Sequence, residues 1–198
     1  NRRKRISQTI NPHTTHGNTK MTWTRNIISD DYLDLQLQLH TNPRYGVMSL
    51  HHAPEVAEFA KENNCSSILD YGAGKQRLKV GLDKAGYKGK YAAYDPAVIE
   101  IRNIPEGNYD LVVCVDVLEH IEPELLDNVL DQMKGETSKY GFFTVATGPA
   151  KKTLRDGRNA HLIQQPFKWW KPKLEERWEL IGDVHEDDHG FKIIVKAK

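Results

Sequence analysis

A near-continuous apolar run, Leu111-Val112-Val113-Cys114-Val115-Asp116-Val117, constrains the fold more than any other stretch of the chain. A strand without polar alternation has no face to offer to water, so it belongs at the centre of a parallel sheet covered on both sides by helices. From about Glu55 onward, short β-branched runs alternate with amphipathic stretches, the pattern of βαβ units. At 198 residues the chain fits one domain of the α/β class built on a mainly parallel sheet.

The remaining elements follow from periodicity and breakers. Ala53 to Asn63 is predicted as an amphipathic helix with Val56, Phe59 and Ala60 on its apolar face, leading into a strand from Ser66 to Asp70. Gly72 and Gly74 break the chain before a helix from about Gln76 to Ala85. A second strand covers Tyr91 to Tyr94 and stops at Asp95-Pro96. After the Leu111–Val117 strand come a helix from Pro123 to Met133 and an inner strand from Tyr140 to Ala146. The polar stretch from Gly148 to Gln165 lacks periodicity and reads as a loop over the sheet. Pro166 opens a helix carrying Trp169, Trp170 and Leu174, and strands near Trp178–Val184 and Phe191–Val195 close the chain around an acidic turn. The last strand is therefore expected to run antiparallel. Tyr32 to Leu39 reads as a short helix, and Pro43 and Gly46 as a loop.

Composition narrows the class. Apolar residues make up 38% and charged residues 28%, which excludes a disordered chain. No apolar run approaches the roughly 18 residues that cross a bilayer, and the two cysteines, Cys65 and Cys114, do not read as a disulfide framework. A cytoplasmic protein without membrane attachment is expected. The net charge of +1 favours no polyanion as a whole, but Arg2, Arg3, Lys4 and Arg5 form a basic arm that suits phosphate. The expected organisation is an N-terminal extension over residues 1–45, flexible over 1–20 and preceding or including a natural start at Met21, followed by one domain over 46–198.

Three strand ends carry the chemistry. Ile68-Leu69-Asp70-Tyr71-Gly72-Ala73-Gly74 is an apolar strand that ends in a carboxylate and turns through two glycines into a helix. Glycine lets the backbone approach a ligand, and open α/β sheets bind ligands at the carboxyl ends of their strands. Asp95 ends the next strand, where a carboxylate accepts hydrogen bonds from both hydroxyls of a ribose, or else simply starts a turn with Pro96. The central strand runs into Asp116-Val117-Leu118-Glu119-His120-Ile121.

With LDYGAG and Asp95, the run YDLVVCVDVLEHI resembles the class I S-adenosylmethionine-dependent methyltransferases. The resemblance spans about Ser66 to Ala146 and implies a Rossmann-like sheet with an antiparallel last strand. It implies S-adenosylmethionine as cofactor, held by Asp70, Tyr71, Gly72, Ala73 and Gly74 at the methionine end and by Asp95 at the ribose. By position, Pro96, Ala97 and Val117 then meet adenine and Asp116 joins the cofactor wall, while Glu119 and His120 line the methyl-transfer pocket. Two departures stand out: Gln76 occupies a place where the family often has a third glycine, and Asp110 follows only fifteen residues after Asp95. The family's third strand is thus expected to be short or missing. A dinucleotide dehydrogenase would need glycine at position 77, where this chain has Arg77.

The loop Leu154-Arg155-Asp156-Gly157-Arg158-Asn159-Ala160-His161-Leu162 is similar to a DGRNAH segment of small phage and bacterial members. It is expected to cover the pocket, with Arg158 and Asn159 binding substrate and His161, with His120, accepting a proton. The same loop also reads as a polar connection held by local turn bonds. His51-His52 beside Tyr45 read as a cofactor cap or as surface residues. His185, Glu186, Asp187, Asp188 and His189 have the composition of a metal site but read as a solvated turn, so no metal is expected; the tryptophans read as core. The expected partner is a small molecule or sugar. The alternatives are a nucleic acid reached by the basic arm, disfavoured by the absence of an N/D-P-P-Y/F segment or a Pro-Cys pair, and a non-catalytic cofactor-binding subunit.

Overall fold

The computed structural model describes residues 27–42 and 45–198. The basic arm, Met21 and Pro43 lie outside the described residues.

Six strands form one sheet: β1 (Ser67–Tyr71), β2 (Lys90–Tyr94), β3 (Tyr109–Val115), β4 (Thr137–Ala146), β5 (Trp178–Glu186) and β6 (Gly190–Ala197), in the order β2-β1-β3-β4-β6-β5. The first four run parallel, while β6 pairs antiparallel with both β4 and β5. The mainly parallel sheet with an antiparallel end is the expected one. Among the described residues no strand lies between Tyr94 and Tyr109, so the expected short or missing third strand is missing. A single 3₁₀ turn at Ile99–Ile101 stands in that interval.

Among the described residues there are five α-helices: α1 (Asp30–His40), α2 (Ser49–Glu62), α3 (Arg77–Lys84), α4 (Leu126–Glu136) and α5 (Phe167–Glu175). Strand alternation sends neighbouring residues into different cores. Ile68, Leu111, Val113 and Phe142 pack with Val56 and Ala60 of α2 and Leu78 and Leu82 of α3. Leu69, Val112, Cys114 and Phe143 pack with Leu130 and Met133 of α4 and Trp170 and Leu174 of α5. Helices thus cover both faces of the central strand, and Leu111 to Cys114 are fully buried. The tryptophans at 170 and 178 are core residues, as expected of them.

β3 stops two residues earlier than its apolar run. Asp116 takes a left-handed φ of 52°, which turns the chain out of the sheet, and its N–H donates to the Thr144 carbonyl at 3.1 Å. Aspartate tolerates that conformation better than a β-branched residue. β1 and β3 are neighbours, yet the chain leaves β1 toward β2 on the opposite side, so a crevice opens above their carboxyl ends.

Helix α1 packs across this crevice. Ser29 caps it, accepting from the Tyr32 N–H at 3.2 Å, and its own N–H and hydroxyl donate to the two oxygens of Glu122 at 2.8 and 2.5 Å. Tyr32 is buried against Leu154 and Ala160 of the long loop, and its hydroxyl donates to the His120 carbonyl at 2.6 Å. The segment before residue 46 is therefore, over residues 27–42, packed onto the domain.

Candidate active site

The crevice is a cavity of about 710 Å³. Its floor is the β1 turn, Tyr71-Gly72-Ala73-Gly74, with Asp95-Pro96-Ala97 from the end of β2 and Asp116-Val117 from the end of β3. The backbone explains the glycines: φ is +74° at Gly72 and +48° at Gly74, and a Cβ on Gly72 would collide with the side chain of Val117. Gln76 also takes a left-handed φ, of 52°, so this chain keeps a glycine-like conformation where the family often has a glycine.

Asp95 ties the turn together. Its Oδ2 accepts from the Gly74 N–H at 2.9 Å and its Oδ1 from the Ala97 N–H at 2.9 Å. Two backbone donors hold the carboxylate in place beside the glycine turn and leave lone pairs on both oxygens. At the third tip, the Thr144 hydroxyl donates to Asp116 Oδ1 at 2.7 Å.

Asp70 departs from expectation. It is buried but absent from the cavity wall, and its Oδ2 accepts from the Tyr91 hydroxyl at 2.7 Å. Side chains leave a strand sideways, so Asp70 follows Ile68 toward the α3 face and meets Tyr91 of β2, two residues before its own register partner Ala93. Burial pushes its carboxyl up to about 7, opposed by the Tyr91 hydrogen bond and reinforced by the charge of Asp95. Of the three strand-end carboxylates, Asp95 and Asp116 thus line the cavity.

The far end of the cavity is built by the 3₁₀ turn Leu118–His120 and the loop after β4. His120 and His161 both line it, their rings edge-to-face at 4.9 Å between centroids. His120 Nδ1 lies 2.7 Å from the Ala160 carbonyl, and His161 Nδ1 lies 2.7 Å from the Gly148 carbonyl. A carbonyl only accepts, so each Nδ1 carries the hydrogen and each Nε2 is left with its lone pair in the neutral ring. Burial, helped by the neighbouring His161, lowers His120 to about 4. Glu119 lies behind this pair, fully buried and outside the cavity wall, with Oε1 accepting from the Ala146 N–H at 3.1 Å. Burial and the nearby Asp116 raise its carboxyl well above the usual range.

Arg158 and Asn159 do not reach the cavity. Arg158 Nε donates to Asp156 at 2.7 Å on the protein surface. Asn159 is used by the loop itself: its Oδ1 accepts from the Ala150 and His161 N–H groups and its Nδ2 donates to the Ala150 carbonyl, each at 2.9 Å. The turn-bond reading of this segment is the one realised, and it fixes the backbone that carries His161. Neither His51 nor His52 caps the cavity; His52 packs on Phe142. The 187–189 turn is closed by Asp187, which accepts from the His189 and Gly190 N–H groups, but Asp188 and His189 reach the cavity rim rather than open solvent alone.

Sequence reasoning missed the roof. Tyr32, Gln36 and His40 all line the cavity, and Tyr45 sits between His40 and His120 at centroid distances of 5.3 and 6.1 Å. The spacing of the first three, one helical turn apart, marks a single face and was available in the sequence.

Residues 46–181 match the family described as methyltransferase domain. No curated protein matches the sequence. Among solved structures, the 1,6-didemethyltoxoflavin-N1-methyltransferase of Burkholderia thailandensis, solved with bound 1,6-didemethyltoxoflavin and S-adenosylhomocysteine, is similar over 85% of this chain and 89% of its own, with TM-score 0.61 and 12% identity. A Pyrococcus horikoshii protein is similar over 80% of this chain and 93% of its own, with TM-score 0.57 and 10% identity. The magnesium protoporphyrin IX methyltransferase of Synechocystis, solved with S-adenosylhomocysteine, is similar over 85% and 95%, with TM-score 0.54 and 12% identity. At these identities the likeness is one of fold, but the family match covers more than half of the sequence, and with the crevice and glycine turn where such a fold requires them, the chain belongs to the methyltransferase domain family.

Proposed function

We propose that the cavity binds S-adenosylmethionine across the tips of β1, β2 and β3 and that the protein transfers its methyl group to a small-molecule acceptor held between the β3 end and helix α1. One observation carries this reading: the Gly72–Gly74 turn and the Asp95 carboxylate are locked to each other by the Gly74 N–H bond, on the floor of a cavity that also contains two histidines with free Nε2 lone pairs.

The residues present fit the cofactor. The left-handed turn at Gly72 and Gly74 brings backbone to the cavity wall, Asp95 has acceptor capacity for two ribose hydroxyls, and Pro96, Ala97 and Val117 supply apolar walls. When bound, the cofactor supplies an electrophilic methyl carbon on a sulfonium. The chain's own work is placement and exclusion of water, which in well-oriented systems is worth on the order of 7 to 11 kcal/mol. Helix α1 supplies the exclusion, since Tyr32, Gln36 and His40 line the cavity, with the His40 ring set against Gly74. His161 and His120 present the lone pairs that take the acceptor's proton or orient its nucleophilic atom.

The acceptor class rests on the enclosed cavity and on the small-molecule substrates named for the Burkholderia and Synechocystis proteins. The DGRNAH loop, similar to that of small phage and bacterial methyltransferases, supports placement in that subgroup through its part in fixing His161. The buried free thiols of Cys65 and Cys114 suit the reducing cytoplasm, and no described helix is long and apolar enough to cross a membrane. Calorimetry with S-adenosylmethionine, followed by a panel of hydroxyl- and amine-bearing small molecules with labelled methyl donor, tests the reading. One-to-one binding and a labelled product are expected; binding without any labelled product would favour a non-catalytic subunit.

A further inference from the structure

Glu119, His120 and His161 come from two separate segments and converge: each offers a ligand atom within 4.8 Å of those of the other two. The three are prepared in different ways for the same task. Glu119 is 0% exposed, and while Oε1 accepts from the Ala146 N–H, Oε2 is buried with no hydrogen-bond partner. A bare carboxylate oxygen in the interior costs stability unless something positive or hydrogen-donating meets it. Both histidines spend their Nδ1 hydrogens on backbone carbonyls, which fixes ring orientation and tautomer and leaves Nε2 as the donor. A histidine held by a carbonyl through one nitrogen, with the other free, is the arrangement found around protein-bound metals. The carbonyls in turn belong to a rigid frame: Ala160 N–H donates to the Lys152 carbonyl at 3.0 Å, and the Ile163 N–H to the Glu119 carbonyl at 3.0 Å.

We propose that Glu119, His120 and His161 bind one divalent first-row transition-metal ion, whose open coordination positions face the cavity and take a lone-pair oxygen or nitrogen of the methyl acceptor. Two imidazoles and one carboxylate suit zinc, iron, cobalt or manganese, and three protein ligands leave positions for a small molecule. His120 and His161 line the cavity while Glu119 closes the site from behind, so the open side is the cavity side. The acceptor role rests on the proposed function, with the bound ion, in place of the two imidazole lone pairs it occupies, as the group that meets the acceptor atom; the metal site rests on the three side chains alone.

The test uses the full chain after chelator treatment, titrated with cobalt(II) and followed by visible absorption, and with zinc(II) by calorimetry. One ion per chain is expected, with cobalt d–d bands that shift on addition of imidazole as it enters an open position. His161→Ala and Glu119→Gln should each weaken the ion by at least about tenfold. S-adenosylmethionine affinity, measured on the same samples, should stay within about threefold, which reports an intact fold. A cobalt affinity weaker than about 1 mM overturns the site, as does tight binding that neither variant weakens. Bands that ignore imidazole overturn the open position. Loss of S-adenosylmethionine binding with cobalt binding retained would count against the cofactor reading and leave the metal site standing.

Discussion

The Gly74 N–H donates to Asp95 Oδ2 at 2.9 Å and, with the Gly72 and Ala73 N–H bonds to the Tyr94 carbonyl at 2.8 and 3.0 Å, joins the turn after β1 to the end of β2. The glycine cradle and the ribose acid are therefore a single mechanical unit. Asp95→Asn keeps the shape but weakens charge-assisted bonds, each worth about 1.5–3 kcal/mol. S-adenosylmethionine affinity is expected to fall by about 10- to 100-fold, and the melting temperature by several degrees because an amide NH2 then faces one of the two backbone N–H groups, measured by calorimetry and thermal denaturation.

Gly72→Ala asks more of the backbone. Alanine at φ +74° carries left-handed strain of about 1–2 kcal/mol, and its Cβ must displace Val117, an overpacking cost of about 1–3 kcal/mol. Chemical denaturation should show a loss of about 2–5 kcal/mol together with reduced cofactor binding. Wild-type stability in this variant would mean that the turn is looser than described.

His161→Ala removes an Nε2 lone pair from the cavity without touching the glycine turn or Asp95. Turnover is expected to fall by about a hundredfold or more, with cofactor affinity within about threefold. Equal losses in both would place His161 in the cofactor site instead.

Asp70 makes stability depend on pH in a defined direction. Its folded carboxyl is raised to about 7, above an unfolded value near about 3.9, so the folded chain holds the extra proton between those limits. The stabilisation is complete below the lower limit and is lost as pH rises toward 7. Asp70→Asn, which stays neutral and can still accept from Tyr91, should gain stability relative to wild type by a few kcal/mol between about pH 4 and pH 8. Denaturation curves at both pH values give the difference; a constant offset would contradict the buried-carboxyl account.

Much of this was readable from the chain, and the failures have physical causes. The apolar run of β3, the Gly72–Gly74 turn and Asp95 announced the sheet and its crevice because strand burial and glycine backbone freedom are local properties. Asp70 was misplaced because a strand's end points at the crevice whereas its side chain leaves sideways, and only the pairing with β2 shows that Tyr91 is waiting there. Arg158 and Asn159 have the residue types of a binding loop, yet short-range turn bonds to Asp156 and Ala150 claim them first. The roof formed by Tyr32, Gln36 and His40 shows helical spacing in the sequence, but what that face covers is a tertiary fact, set by the Ser29–Glu122 and Tyr32–His120 bonds.

Titration of the full chain with S-adenosylmethionine in a calorimeter, paired with thermal melting, bears most directly on the shared cradle of Gly72, Gly74 and Asp95. The account predicts one molecule bound per chain and, at a hundredfold excess over Kd, a stabilisation of about 2.7 kcal/mol, or a rise in melting temperature of about 5–10 °C. An absence of heat together with an unmoved melting curve at millimolar cofactor would contradict it.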